Sequence, residues 1–281
     1  MRERLAGYLT VLGLNGAGDD ARLVAGQFHD VVLIGEVAYR FPRDEESRHG
    51  LPAAVALLTA LGRADLPVPV PLASGHVRSP LGQCYVPLTR LPGEQLGQVS
   101  GPGAKETLVT ELAGLLDRLA ELGSDQVIRK LVPRAGADYW AAFADQVREV
   151  LFPLMSGPGR MRADAELADV TTLTPVGDAL VHTDLGGANL LWTTEAGEPK
   201  LAGVLDWDGA CIADQASDLA SIGVTIGWPL AERIDIRRRD STRPMLHDAR
   251  TIAATFALQQ ALPAALTGDP HNLDDGLRDY R

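Results

Sequence analysis

Two apolar runs with a short polar loop between them constrain this chain more than any other stretch. Ala179-Leu180-Val181 leads into His182-Thr183-Asp184-Leu185-Gly186-Gly187-Ala188-Asn189, and Leu190-Leu191-Trp192 leads out. An acidic, hairpin-like turn follows, then a second apolar run, Val204-Leu205, that ends in Asp206-Trp207-Asp208. Apolar runs of strand length bounded by turn residues predict strand, loop, strand, turn, strand. That order makes Asp184, Asn189 and Asp206 converge on one spot.

Those three residue types suit phosphoryl transfer, which asks the protein for in-line positioning and for neutralisation of developing charge by Mg2+ rather than for covalent chemistry. Asp184 is the candidate to accept the proton of an attacking hydroxyl; Asn189 and Asp206 are the candidates to hold the metal. Asn189 lies five residues after Asp184, the spacing of the kinase loop H-R-D-L-x-x-x-N, and Asp206 stands where D-F-G has its metal-binding Asp. An isolated His-x-Asp is most often an ordinary turn; the conjunction with Asn189 and Asp206 is what makes the loop a candidate site. His182 itself is expected to be a buried, hydrogen-bonded support and not a base.

With Ala213-Asp214-Gln215-Ala216-Ser217-Asp218-Leu219-Ala220 added, these motifs resemble the aminoglycoside phosphotransferase family, the small-molecule branch of the protein-kinase-like fold. Within it the chain is similar to the viomycin and capreomycin phosphotransferases through Gly26-Gln27-Phe28-His29, Leu151-Phe152-Pro153-Leu154-Met155-Ser156, His182-Thr183-Asp184-Leu185-Gly186-Gly187 and Thr255-Phe256-Ala257-Leu258-Gln259-Gln260-Ala261-Leu262. The resemblance spans nearly the whole chain. It implies a two-lobed, protein-kinase-like α+β fold, with an antiparallel sheet plus helix in a nucleotide-binding lobe over residues 1–91 and a mainly helical catalytic and substrate-binding lobe over 92–281. It further implies ATP, or GTP, with Mg2+, and as acceptor a serine hydroxyl of a cationic cyclic-peptide (tuberactinomycin) antibiotic. A kinase of another small hydroxylated molecule, and a catalytically silent nucleotide-binding module, stay open on the residues alone.

Leu23 to Gly35 predicts strand, Gly-containing turn, strand; in a kinase-like lobe the turn Gly26-Gln27-Phe28 covers the nucleotide phosphates with backbone N–H groups. Glu36-Val37-Ala38-Tyr39-Arg40-Phe41-Pro42 occupies the place of the V-A-I-K strand, so Arg40 becomes the phosphate-pairing base. Arg keeps the charge of Lys but changes the geometry, because its planar fork holds oxygens in pairs. The family's helix glutamate that holds this base is missing from Leu51 to Leu61; either Glu45 or Glu46 substitutes or the ion pair is absent. By resemblance the backbone C=O of Thr89 and N–H of Leu91 hold the adenine edge, in a hinge after the strand Gln83–Leu88. Asp208, on the other side of its strand from Trp207, is the candidate for facing a cationic substrate.

Leu5, Leu9 and Leu12 predict a short packing helix ending near Gly13 or Gly16, and the leucines from Leu108 to Leu122 a longer one. Tyr139–Leu151, Asp164–Leu173, Thr251–Leu266 and Asp274–Tyr280 are further expected helices, and Asp214 is expected to cap another whose first turn carries Asp218. The net charge of −11, from 26 basic and 37 acidic residues, argues against a nucleic-acid surface and for a cationic or neutral partner; no obligate protein partner is evident. Cys84 and Cys211 are expected as buried free thiols in a reducing cytoplasm, with no zinc-like spacing. The first residues show no apolar leader and no run approaches the ~20 apolar residues of a membrane span.

Overall fold

The computed structural model describes residues 1–14, 20–26, 28–73, 76–79, 82–96, 104–174, 177–238 and 243–281. In chain order the elements are α1 (Arg2–Leu12), β1 (Arg22–Ala25), β2 (His29–Ile34), β3 (Val37–Pro42), α2 (Glu45–Arg63), β4 (Val77–Arg78), β5 (Cys84–Thr89), β6 (Glu94–Gln95), α3 (Ala104–Leu122) and α4 (Ile128–Leu131). There follow α5 (Tyr139–Val150), α6 (Gly157–Thr171), β7 (Ala179–Val181), β8 (Leu190–Glu195), β9 (Glu198–Val204), β10 (Cys211–Ala213), α7 (Ala216–Thr225), α8 (Trp228–Arg237), α9 (Leu246–Ala254), α10 (Phe256–Thr267) and α11 (Pro270–Gly276). Two units emerge, each from non-contiguous segments: Met1–Ala104, Gln126–Val132 and Ala188–Asp208 in the first, Lys105–Asp125, Pro133–Gly187 and Gly209–Arg281 in the second. The boundary expected after Leu91 lies inside the first of these segments.

In the first unit β1, β2, β3, β5 and β4 form one antiparallel sheet in that order. The register Val31↔Arg40 and His29↔Pro42 sorts side chains by parity, since alternate residues of a strand point to opposite faces. Asp30, Val32, Tyr39 and Phe41 share one face; His29, Val31 and Arg40 share the other. Onto the first face α1 lays Leu5, Tyr8, Leu9, Val11 and Leu12, with Tyr8 stacked on Phe41 at 4.3 Å between ring centroids. Asp30, fully buried there, accepts from the Tyr8 hydroxyl at 2.8 Å and pairs with Arg4. Gly13, left-handed at φ 72°, ends α1, one of the two stops expected.

The helix expected over Leu51–Leu61 starts six residues earlier, because Asp44 caps it by accepting from the Ser47 N–H at 2.7 Å. Its buried stripe is Leu51, Val55, Leu57, Leu58 and Leu61. A second sheet, β6-β8-β9, completes the unit. Its hairpin turns on Ala196 and Gly197, both at positive φ (50° and 87°), the conformation whose twist matches that of the flanking strands. Gly93, at φ 100°, lies so near strand β8 that a Cβ would sit 2.6 Å from the Trp192 carbonyl oxygen.

The second unit is mainly helical around one short antiparallel ladder, β7 with β10. Leu108, Leu112, Leu115, Leu116, Leu119 and Leu122 of α3 are all buried, as their spacing requires. Phe143, Val147 and Leu151 form a core with Ala163, Leu167, Leu258, Leu262 and Tyr280. The helix expected from Asp164 starts at Gly157, where Ser156 caps it, and the one expected over Thr251–Leu266 is two helices that break at buried Thr255. Gln215, not Asp214, is the N-cap residue of α7; Asp214 instead accepts from the Ala216 N–H at 3.0 Å. Cys84 and Cys211 are both free thiols, Cys84 buried as expected and Cys211 only half-buried, though burial still pushes the Cys211 thiol up to about 11. Among the described residues no helix is long and apolar enough to cross a membrane.

Candidate active site

In the first unit Arg40 is the centre. Sheet register places it diagonally across from His29 on the face away from α1, a separation that long side chains bridge. The guanidinium Nη2 reaches His29 Nδ1 at 2.9 Å, pairs with Asp208, and lies 3.6 Å from Asp206. Burial foremost, then the Arg40 cation, pulls His29 below its ordinary 6.5, against the opposing pull of Asp208 and Asp206. A guanidinium can only donate, so Nδ1 acts as acceptor toward Arg40 and the ring proton is assigned to Nε2. The partner of Arg40 comes from neither Glu45 nor a helix interior: Glu45 is paired with Arg48 at 2.9 Å. Asp208, expected to face a substrate, is occupied in this structure as the counter-ion of Arg40.

Asn189 and Asp206 sit at one end of the β8–β9 hairpin. The pair Leu190↔Val204 closes the ladder, and one residue beyond it the Asn189 carbonyl accepts from the Leu205 N–H at 2.8 Å. Asp206 then takes a left-handed backbone, φ 59°, a conformation costing a non-glycine residue of order 1 kcal/mol that persists where the surroundings over-determine it. Trp207 fixes the turn by donating its indole N–H to the Val204 carbonyl at 3.0 Å. An amide oxygen and a carboxylate are hard donors that suit Mg2+, which keeps waters and substrate phosphates as its remaining ligands. The described residues hold no group of three His, Cys, Asp or Glu that could bind a metal by themselves.

Of the predicted loop, Gly26 and Phe28 are described and Gln27 lies outside the described residues. The Gly26 N–H donates to the His29 carbonyl at 2.9 Å, and a Cβ on Gly26 would stand 2.4 Å from that oxygen, so only glycine closes this turn. Arg43 ties it from below, its side chain to the Gly26 carbonyl and its N–H to that of Phe28; the Phe28 ring is exposed. Thr89 ends β5 and exchanges both its N–H and its hydroxyl oxygen with the backbone of Val70. Leu91, two residues on, packs over Gly203.

The second unit carries Asp184 on a loop anchored from beneath. Asp218, on α7 and fully buried, accepts from the His182 N–H through both oxygens at 3.1 Å and from the Thr183 N–H at 2.9 Å. Burial pushes Asp218 up to about 7 even though those two N–H groups pull the other way. His182 is buried and its Nδ1 accepts from the Asp184 N–H at 3.3 Å, the supporting role expected of it. Between them Thr183 is left-handed, φ 73°, and Asp184 is exposed. On the far side of the loop Thr225 of α7 accepts from the Gly187 N–H at 3.0 Å. The motifs alone do not single out His29 or Asp218 as parts of the site. Strand parity with Arg40 is a signal for the first, and an acid beside Leu219, Ala220 and Ile222 a signal for the second.

A sequence model of the phosphotransferase enzyme family matches residues 20–254. The chain belongs to that family. It is 40% identical over 260 residues to viomycin phosphotransferase of Streptomyces vinaceus, covering 91% of each chain. Among solved structures, it is similar to the GDP complex of wild-type aminoglycoside 2'-phosphotransferase-IIIa, with a TM-score of 0.80 at 19% identity over 98% of this chain and 96% of that one. It also resembles a macrolide 2'-phosphotransferase apoenzyme from Brachybacterium faecium, TM-score 0.74 at 19% identity, covering 99% and 98%. Likeness at these identities shows the fold, the kinase-like α+β arrangement expected from the sequence; the phosphotransferase assignment comes from the family match.

Proposed function

We propose that this chain inactivates a cationic cyclic-peptide antibiotic of the viomycin and capreomycin class by transferring phosphate from ATP, or GTP, to a serine hydroxyl, in the cytoplasm. The observation that carries the reading is the 40% identity to viomycin phosphotransferase across 91% of both chains, in a chain that keeps Asp184, Asn189 and Asp206 at the family's spacing. The nucleotide belongs with residues 1–91 and the acceptor with residues 92–281. The turn that the sequence assigns to the phosphates, Gly26, Gln27 and Phe28, would cover them, Thr89 and Leu91 would offer backbone groups to the base, and Arg40 would clamp phosphate oxygens. Asn189 and Asp206 would hold Mg2+, which when bound supplies neutralisation of phosphate charge.

Asp184 takes the proton from the acceptor hydroxyl as its oxygen bonds to the γ-phosphorus; the bond from phosphorus to the β,γ-bridging oxygen breaks, and the nucleoside diphosphate leaves with that electron pair. The fixed loop suits this role, because a base must be within hydrogen-bond reach of the proton it removes. The surplus of acidic residues, 37 against 26 basic, favours a polycationic acceptor over a neutral or anionic one.

Mass spectrometry of reactions with ATP and a panel of acceptors tests this. Phosphate is expected on a serine-containing tuberactinomycin and not on its alanine congener. Phosphate on an aminoglycoside or macrolide, with none on the peptide, would overturn the acceptor while leaving the family assignment standing.

A further inference from the structure

We infer that Asp208 and His29 are the positioning residues of Arg40, together doing what a helix carboxylate does elsewhere in the family. The inference rests on the reading of Arg40 as phosphate clamp. The side-chain contacts of Arg40 converge on a single nitrogen: Nη2 carries two protons, and its two short-range acceptors are His29 Nδ1 at 2.9 Å and Asp208 Oδ2. Asp206, at 3.6 Å, is near enough for charge attraction but beyond a hydrogen bond. Nη2 is thus saturated, whereas Nη1 and Nε are not engaged by any of these groups. Among the described residues the guanidinium is gripped through one nitrogen, which aims the other two, while Asp208 balances its charge.

This arrangement explains the residue choice at three positions. Lysine carries its donors on one rotating nitrogen, so it could not be gripped by His29 and Asp208 and still present a fixed pair of donors. The Arg40 side chain is only 11% exposed, as is that of His29. The two acids of Asp206-Trp207-Asp208 then divide the work, with Asp206 left for the metal and Asp208 kept on Arg40. Among the described residues the acids paired with Arg40 are Asp208 and, more distantly, Asp206, and neither acid of helix α2, Glu45 or Glu46, is among them; Glu45 is paired with Arg48.

A thermodynamic cycle on the full chain tests the inference through nucleotide binding, which needs no knowledge of the acceptor. Titration with MgATP should show Asp208→Asn and His29→Ala each weakened, by roughly ten-fold for the loss of one charge-assisted hydrogen bond. Asp208→Glu, which keeps the carboxylate charge that asparagine lacks, and His29→Gln, which keeps an acceptor that alanine lacks, should recover part of the loss. In an Arg40→Ala background both substitutions should become silent within about two-fold, because groups acting only through Arg40 show full coupling to it. Additive losses would overturn the assignment. So would tighter binding in Asp208→Asn, which would make the contact a latch that Arg40 must leave, or a defect in peptide KM alone, which would return Asp208 to the acceptor. Absence of MgATP binding by the unsubstituted chain would sink the clamp reading and this inference together; binding with additive variants would sink only the inference.

Discussion

The loop that carries Asp184 in the second unit and Arg40 in the first are held by opposite means. Asp184 is positioned through main-chain N–H groups that a wholly buried carboxylate, Asp218, gathers from below. Arg40 is positioned through side chains, one of which, Asp208, is 34% exposed. A base whose distance to the acceptor decides the rate gains from the first arrangement, because adjacent backbone donors gathered by one buried carboxylate hold the loop in a single register. A group that must receive a highly charged ligand gains from the second, which leaves donors open and lets neighbouring acids be screened or reassigned when phosphates arrive. Both regions carry a left-handed non-glycine residue, Thr183 and Asp206, so both store backbone strain beside the groups they present.

The largest effect should come from the loop's own product. Asp184→Asn removes the proton acceptor and keeps its shape, so turnover should fall by roughly 10²–10⁴-fold, the range for a positioned general base, while MgATP affinity stays near that of the parent. Near-parental turnover would remove Asp184 from the chemistry. Asp206→Ala should show the converse pattern, with Mg-dependent nucleotide affinity lost; affinity independent of Mg2+ in both proteins would break that assignment.

Next comes the anchor. Asp218→Ala strands the buried His182 N–H, worth about 1–3 kcal/mol when left without a partner, removes the part-buried Thr183 contact, and frees the loop. Stability in urea should drop by several kcal/mol and turnover should fall with it, whereas Asp208→Ala should leave unfolding nearly unchanged. Equal destabilisation by the two would erase the contrast between a structural anchor and a ligand-side seat. For Arg40→Ala, nucleotide affinity and rate should both weaken, by roughly ten-fold or more per lost charge-assisted contact, and Arg40→Lys should restore only part. Full restoration by lysine would show that charge alone suffices.

How much of this is legible in the sequence follows the kind of contact involved. The placement of Asp184, Asn189 and Asp206 at strand ends and loops, and of Arg40 on β3, can be read because local spacing fixes it; the roles proposed for them rest on the motif. The partners of Arg40 cannot be read: Asp208 is 168 residues away in sequence, and only the tertiary arrangement shows that it, not Glu45 or Glu46, closes the pair. The local pattern puts Asp218 near the start of its helix, but nothing in that pattern says which backbone it faces. Helix boundaries at Glu45, Gly157 and Thr255 escape a reading by apolar periodicity, because caps and a buried threonine decide those ends.

The smallest effects should separate the two regions by sign. Burial raises Asp218 from 3.8 to about 7 in the folded chain. Between those values the unfolded chain has lost a proton that the folded one keeps, so this group's contribution is fully present below about pH 4 and is lost as pH rises through about 7. His29 is shifted the other way, below its ordinary 6.5, by burial and the Arg40 cation. The unfolded chain then binds the proton first, and the His29 contribution is present above pH 6.5 and lost as pH falls. Urea unfolding across pH 4 to 8 should therefore respond in opposite directions. Asp218→Asn should remove a component that declines with rising pH, and His29→Gln a smaller one that declines with falling pH, because a neutral amide titrates in neither state. Slopes altered in the same direction would mean that one of the two groups is not held as described. An Asp218→Asn profile parallel to that of the parent would show that the buried carboxylate keeps its ordinary ionisation, with its two backbone donors outweighing burial.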